Sequence, residues 1–320
     1  MIRWSVLTKT GVGSEEPSKS AARKGATDQM GSWKEYSVVK TLDEAVHKLS
    51  TAIEPVKIIA GGTDLLLEIQ QGHQPIVHTL IDVNNIDEMK CLEVRGQRLF
   101  IGAAVAVSKI TNSPLVKQHA LAVSEATGLI GGPQVRNAAT IGGNVAHALP
   151  AADGMISLVA MDTQAVIYKD KSFVEVPIMS LFKGPGQSTL EKTEILVGFY
   201  FNLKQPGEAS AFDRVMRPQG VALPILNNAI WIKRNRNIIE DIRIVFGPSG
   251  PVPTRAERVE EVLKGYAMEQ SYIDLAKKTL RETVKFRTSK MRATAAYRYE
   301  LADLLLERVL KKAWERTEEV

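Results

Sequence analysis

The segment Val56-Lys57-Ile58-Ile59-Ala60-Gly61-Gly62-Thr63-Asp64-Leu65-Leu66 decides how this chain is read. A short β-branched run stops at paired glycines, and apolar residues then recur at helical spacing through Ile69 towards Gly72. Thr63 is placed to N-cap that helix. Paired glycines let backbone N–H groups approach an anion closely, and a helix N-terminus adds unsatisfied donors and a favourable dipole. On its own the segment is a weak signal, because paired glycines after a strand are more often a tight turn than an anion cradle.

About eighty residues later the same chemistry recurs. Thr140-Ile141-Gly142-Gly143-Asn144 offers a hydroxyl, two unhindered N–H groups and an amide, and leads into Ala148-Leu149-Pro150-Ala151-Ala152-Asp153. Two such loops, each beside an apolar strand, suit a pyrophosphate gripped from two sides, as in a dinucleotide. Two unrelated turns would look the same. Neither segment matches G-x-G-x-x-G or the Walker A pattern, which disfavours a Rossmann NAD site and a P-loop NTPase.

Outward from these loops, Thr41 and Glu44 have capping-box spacing ahead of Ala45, Val46 and Leu49, and Thr79 to Val83 is a further apolar run. Leu99 to Ala103 reads as a strand and Leu115 to Leu129 as one helix, broken by Gly131-Gly132-Pro133. Strand candidates dominate from Ala165 to Leu203. After Pro206-Gly207 the character changes. Ile225–Lys233 and Ile238–Phe246 flank Arg234-Asn235-Arg236-Asn237 as a hairpin, and Arg255–Leu263, Tyr272–Val284 and Ala295–Trp314 read as helices. In the last, Leu301, Leu304, Leu305, Val309 and Leu310 mark the expected buried face. Residues 1–32 are rich in Gly, Ser, Lys and Glu without periodicity and read as a flexible extension.

Composition narrows the function. With 320 residues, 44% hydrophobic and 24% charged, the chain is long enough for two domains and a sizeable core. The net charge of +5 is modest, and the surplus of seven positive charges from Arg214 onward is interleaved with acids, so nucleic acid is not an expected partner. The single cysteine, Cys91, excludes an internal disulfide and any cysteine-ligated cluster within the chain. Apolar runs are too short for a membrane span, and a reducing, cytoplasmic setting is expected. His73, His78 and His119 lack metal-ligand spacing, and no G-x-S-x-G elbow exists, which disfavours a hydrolase triad.

The segments IIAGGTDLLLEIQQG and GGPQVRNAATIGGNVAHALPAADGM resemble the two FAD-binding segments of the flavoprotein (medium) subunits of molybdenum hydroxylases, a family that includes the flavin components of carbon monoxide and xanthine dehydrogenases. DIRIVFGPSGPVPTRAERVEEVLKG and MRATAAYRYELADLLLERVL resemble that family's C-terminal domain, so the similarity runs from about Trp33 to Trp314. The resemblance implies an α+β chain. A two-lobed FAD-binding fold of the vanillyl-alcohol oxidase (PCMH) type would span 33–206, its lobes divided near residue 88, and a smaller α+β domain would span 207–320.

By position, the resemblance places Ile59, Ala60, Gly61, Gly62, Thr63, Asp64, Leu65 and Leu66 in the first phosphate loop and Thr140, Ile141, Gly142, Gly143 and Asn144 in the second. Ile130 and Val135 would approach the flavin, Asp153 would contact the cofactor, and Leu196 would lie beside the adenine or isoalloxazine. His147 stands where relatives often carry a small hydroxyl residue. Where some relatives have a cofactor-contacting lysine after a phenylalanine, this chain has Phe212-Asp213-Arg214, so Arg214 is the candidate replacement. The resemblance further implies non-covalent FAD, a molybdopterin-binding large subunit and a [2Fe–2S] small subunit as partners, and a dimer of heterotrimers. Two competing readings are a flavin-free nucleotide-binding scaffold and a stand-alone flavin oxidase.

Overall fold

The computed structural model describes residues 33–72, 77–217, 223–289 and 292–318. The extension expected over 1–32 lies outside them. The first unit alternates strand and helix: β1 (Glu35–Val38), α1 (Leu42–Thr51), β2 (Val56–Ile59), α2 (Leu65–Gln70) and β3 (Thr79–Asp82). The strands form a parallel sheet in the order β1-β3-β2, with Ile59 opposite Asp82. Thr41 caps α1 as its spacing suggests, its hydroxyl accepting from the Glu44 N–H at 3.1 Å, while the Glu44 carboxylate accepts from the Lys40 N–H. Parallel strands joined by helices put both β2 and β3 ends on one edge, and the first glycine loop leaves from that edge.

The second unit has β4 (Leu92–Arg95) and β5 (Arg98–Gly102), then six short helices: α3 (Val107–Asn112), α4 (Pro114–His119), α5 (Leu121–Gly128), α6 (Pro133–Ala138), α7 (Ile141–Ala146) and α8 (Asp153–Ala160). It continues with β6 (Gln164–Lys169), β7 (Ser172–Pro177), a small ribbon β8 (Phe182–Gly184) and β9 (Gln187–Ser188), and β10 (Ile195–Asn202). The sheet is antiparallel in the order β4-β5-β10-β6-β7. One helix was expected from Leu115 to Leu129, but the chain breaks at Ala120 (φ −151°, ψ 61°). Ser113 and Pro114 open α4 as N-cap and first helical residue, and α5 starts afresh in a new direction. A continuous apolar spacing here served two helices packed on the same core.

The third unit is the antiparallel sheet β11 (Glu208–Met216), β12 (Pro224–Asn235), β13 (Ile238–Gly247) and β14 (Thr254–Arg255), followed by α9 (Glu257–Leu263), α10 (Gln270–Thr283) and α11 (Ala295–Glu315). The β12–β13 hairpin turns at Arg236, which adopts positive φ. On α11 the buried stripe is Leu301, Ala302, Leu305, Leu306, Val309, Leu310 and Ala313. Leu304, expected inside, is 51% exposed, because it lies three residues from Leu301 on the far side of the i, i+4 row.

One core joins the first two sheets and takes in Phe212, Ala229, Trp231 and Val245 of the third; a second core fills the space between the third sheet and its helices. The seam is polar where α5 meets β11. Glu125 accepts from the Phe212 N–H at 2.9 Å and pairs with Arg316 at 2.6 Å and Lys312 at 2.7 Å. Among the described residues no helix is long and apolar enough to cross a membrane.

Candidate functional site at the paired glycine loops

β2 delivers Ala60, whose carbonyl accepts from Asn84 Nδ2 at 2.9 Å; Asn84 is itself held by Asp82. Gly61 follows, and a Cβ there would overlap the carbonyl oxygen of Ala138 and sit 2.8 Å from Ala139 Cα. The first glycine loop therefore packs backbone to backbone against the segment that enters the second. Gly62 has φ +66°, a left-handed conformation that glycine adopts without cost. The N-cap of α2 is Asp64 rather than Thr63, and its side chain makes no capping bond. None of the N–H groups of Gly61, Gly62, Thr63, Asp64 and Leu65 has an acceptor among the described residues. Five successive donors at a partly exposed glycine turn and helix start make a cradle with the chemistry of an anion site.

The second loop is arranged differently from the expectation. Thr140 caps α7, its hydroxyl accepting from the Gly143 N–H at 3.1 Å, and the Gly142 N–H donates to Ala103 O at 2.8 Å. The two N–H groups expected to be free are thus committed within the protein. Gly142 is required by packing, since a Cβ there would lie 2.5 Å from the Ala103 Cβ. Gly143 is exposed, with only Thr140 Oγ1 nearby at 3.1 Å from a built Cβ. Asn144 Oδ1 accepts from the Met155 N–H at 3.2 Å, which caps the first turn of α8 and leaves the Asn144 amide nitrogen without an acceptor among the described residues.

Further residues tie the loops together. His147, at the end of α7, places Nε2 2.9 Å from Glu68 Oε1 and Nδ1 3.7 Å from Asp64 Oδ2, both on the α2 side. Gly131 (φ +52°) turns the chain between Ile130 and α6, and Arg136 Nη1 donates to the Gly131 carbonyl at 2.7 Å. Ile130 is half-buried and Val135 exposed, giving an apolar shelf.

Asp153 opens α8 and is buried. Its carboxylate accepts from Arg214 on β11 through one oxygen and from Asn227 Nδ2 on β12 at 2.7 Å through the other. Burial pushes the carboxyl up to about 6, against the opposing pull of Arg214 and Asn227. Arg214 thus reaches into the second unit from the third sheet, while Asp213 turns away to pair with Arg308 at 2.8 Å. Leu196 sits in β10 within the core, opposite Ile167. Glu68, Asn84, Arg136 and Asn227 were missed from the sequence. Only Asn227 carried a signal: it and Asn228 stand side by side in the otherwise apolar run of β12, and both are fully buried.

These features make a chain of mixed helix and strand whose first glycine loop packs against the segment entering the second and is braced by a C-terminal sheet. Residues 29–201 match the family described as the FAD binding domain in molybdopterin dehydrogenase, and residues 210–313 match the CO dehydrogenase flavoprotein C-terminal domain. The chain belongs to the FAD-binding flavoprotein subunits of the molybdopterin dehydrogenases, which are oxidoreductase components. It is 28% identical over 282 residues to the carbon monoxide dehydrogenase medium chain of Hydrogenophaga pseudoflava, covering 88% of this chain and 97% of that one. It is 27% identical over 274 residues to the nicotinate dehydrogenase FAD-subunit of Eubacterium barkeri, covering 83% and 91%. The solved carbon monoxide dehydrogenase of Hydrogenophaga pseudoflava lacking the Mo-pyranopterin moiety superposes with a TM-score of 0.83 at 28% identity, over 88% of this chain and 98% of that one.

Proposed function

We propose that this chain is the FAD-binding electron-transfer subunit of a multi-subunit molybdenum hydroxylase, set between [2Fe–2S] clusters on a small subunit and NAD or another acceptor. The N–H groups from Gly61 to Leu65, without acceptors among the described residues and packed against Ala138 and Ala139, carry the reading. FAD, when bound, supplies one- and two-electron redox exchange. The chain's part is to bind and orient it.

In this reading the domain division falls at 206/207, and residues 33–206 form a two-lobed fold of the vanillyl-alcohol oxidase (PCMH) type. The backbone donors of Gly61 to Leu65 hold the pyrophosphate without a covalent link, flanked by Ile59, Ala60 and Leu66. The Asn144 amide and the Thr140 hydroxyl proton face it from the second loop, whose fold Ile141, Gly142 and Gly143 maintain. Ile130 and Val135 offer the apolar shelf for the ring system. Asp153 fixes Arg214 at the seam, and His147 holds the two loops in register. Leu196 supports this arrangement from within the core. A molybdopterin subunit carries substrate oxidation, the assembly is a dimer of heterotrimers, and the compartment is the cytoplasm.

Purified chain should carry about one FAD, released on acid denaturation, with absorption near 450 nm. Flavin reduction by an organic substrate should require added cluster-bearing and molybdopterin subunits. Rapid reduction with this chain alone would favour the stand-alone oxidase, and a colourless protein that fails to take up FAD would favour the scaffold.

A further inference from the structure

A side chain from the segment after β3 sets the direction of the first glycine loop. In an extended strand successive carbonyls point to opposite sides, so only alternate ones meet a given neighbour. At the end of β2 two in a row turn towards the chain leaving β3. The Ile59 carbonyl accepts from the Val83 N–H at 3.1 Å, and the Ala60 carbonyl accepts from Asn84 Nδ2 at 2.9 Å. The Ala60–Gly61 peptide has therefore rotated out of strand register, and a side chain holds it there. That peptide is trans. A planar trans peptide points its N–H opposite its carbonyl, so fixing the Ala60 carbonyl also fixes the direction of the Gly61 N–H. The rotation satisfies the carbonyl and leaves the N–H without an acceptor among the described residues, which is what an anion-facing peptide requires.

Asn84 is itself locked. Its Nδ2 gives one proton to the Ala60 carbonyl and the other to Asp82 Oδ1 at 2.8 Å. With two acceptors facing it, the amide sits nitrogen inward. The Asn84 backbone N–H donates to the same Asp82 oxygen at 2.8 Å, which closes an Asx turn over residues 82–84. The other carboxylate oxygen, Oδ2, accepts from the Tyr36 hydroxyl of β1 at 2.6 Å. Partial burial and the Asp82 carboxylate push that phenol up to about 12, so it stays a donor at neutral pH. Tyr36, Asp82 and Asn84 thus run across the first sheet, from β1 through β3 to the loop leaving β2.

We infer, resting on the FAD reading of the cradle, that Asn84 is a positioning residue that turns the Gly61 N–H onto the pyrophosphate, with Asp82 and Tyr36 fixing its rotamer. The test titrates the full apo chain with FAD and records the phosphorus NMR spectrum of the saturated complex, which reports hydrogen bonding at the pyrophosphate. Asn84→Leu keeps the volume and loses both side-chain donors. It should weaken FAD binding at least about tenfold and shift one or both pyrophosphate resonances. Tyr36→Phe loosens the row one step further out and should weaken binding about twofold to threefold. Glu44→Ala opens the capping box of α1 and should lower Tm while leaving the dissociation constant and both resonances unchanged. Should Asn84→Leu not fold, Asn84→Ser, whose hydroxyl is too short to reach the Ala60 carbonyl, takes its place with the same expectations. An unchanged dissociation constant in the Asn84 variant, or a weaker one with unmoved resonances, would overturn the assignment and leave the FAD reading standing. A wild-type chain that takes up no FAD would overturn both.

Discussion

His147 Nε2 lies 2.9 Å from Glu68 Oε1, which joins the end of the helix that carries the second glycine pair to the helix after the first. The two residues are 79 positions apart, and both are only partly exposed. The contact is a second tie between the two loops, in addition to the tight backbone approach of Gly61 to Ala138. His147→Ala should therefore weaken FAD binding about threefold to tenfold, as expected for one lost partly screened hydrogen bond of roughly 1 kcal/mol. His147→Gln should restore part of it. Titration of the apo protein with FAD, read by flavin fluorescence, measures both. An unchanged dissociation constant in the alanine variant would remove the clasp from the site.

The glycines of the two loops should not be equivalent. Gly61→Ala puts a methyl group into the Ala138 carbonyl and forces the loops apart, so the purified variant should carry less than about a tenth of the wild-type FAD. Gly143→Ala meets only the Thr140 hydroxyl in an exposed first turn and should keep most of its cofactor. Flavin-to-protein ratios decide between them, and a reversed order would shift the anion contact to the second loop.

Both loops were visible in the sequence because glycine pairs next to β-branched runs are local signals. Their proximity was not, since it depends on how the first parallel sheet docks on α6 and α7. Residue type alone made Gly142 and Gly143 look like free donors, although their N–H groups go to Ala103 and Thr140 in the folded chain. The break at Ala120 escaped notice because an apolar row continues through it. Asp153 and Arg214 could each be singled out from the resemblance, but their pairing is a long-range contact that no periodicity encodes. β11, which supplies Arg214, was not anticipated, while its neighbours β12 and β13 were marked by apolar runs around a turn.

Glu125 should act as the latch of the seam. Burial pushes its carboxyl up, but Arg316, Lys312 and the Phe212 N–H outweigh that and leave it below the ordinary range. A depressed carboxylate stabilises the fold above its unfolded pKa and loses that contribution as pH falls through the folded value. Glu125→Gln should cost roughly 2–3 kcal/mol at neutral pH, and its Tm should converge on that of the wild type in acid. A gap that stays constant between about pH 7 and 3 would show that the charge contributes nothing.

Asp153 should behave in the opposite sense. Its folded pKa of about 6 lies above the ordinary carboxylate value, because burial outweighs the contacts with Arg214 and Asn227. Between about pH 4 and 6 the native state then binds more protons than the unfolded state, so this group's contribution to stability falls as pH rises through that window and is level above it. Removing the cation alone strands the Asp153 carboxylate, whose side chain is 4% exposed. Arg214→Met should accordingly lower stability by about 3 kcal/mol at pH 7, as for a broken buried pair, whereas Asp153→Asn, which mimics the neutral form that burial favours, should cost much less. Asp153→Asn combined with Arg214→Met removes both charges, should recover most of the loss, and should not show the Asp153 pH step. Thermal melts of the wild type, both single variants and the double variant from pH 4 to 7.5 give the coupling and its sign together. Additive losses, or a wild-type profile parallel to that of the double variant, would mean that the pair is not coupled and that the carboxylate is solvated like any other.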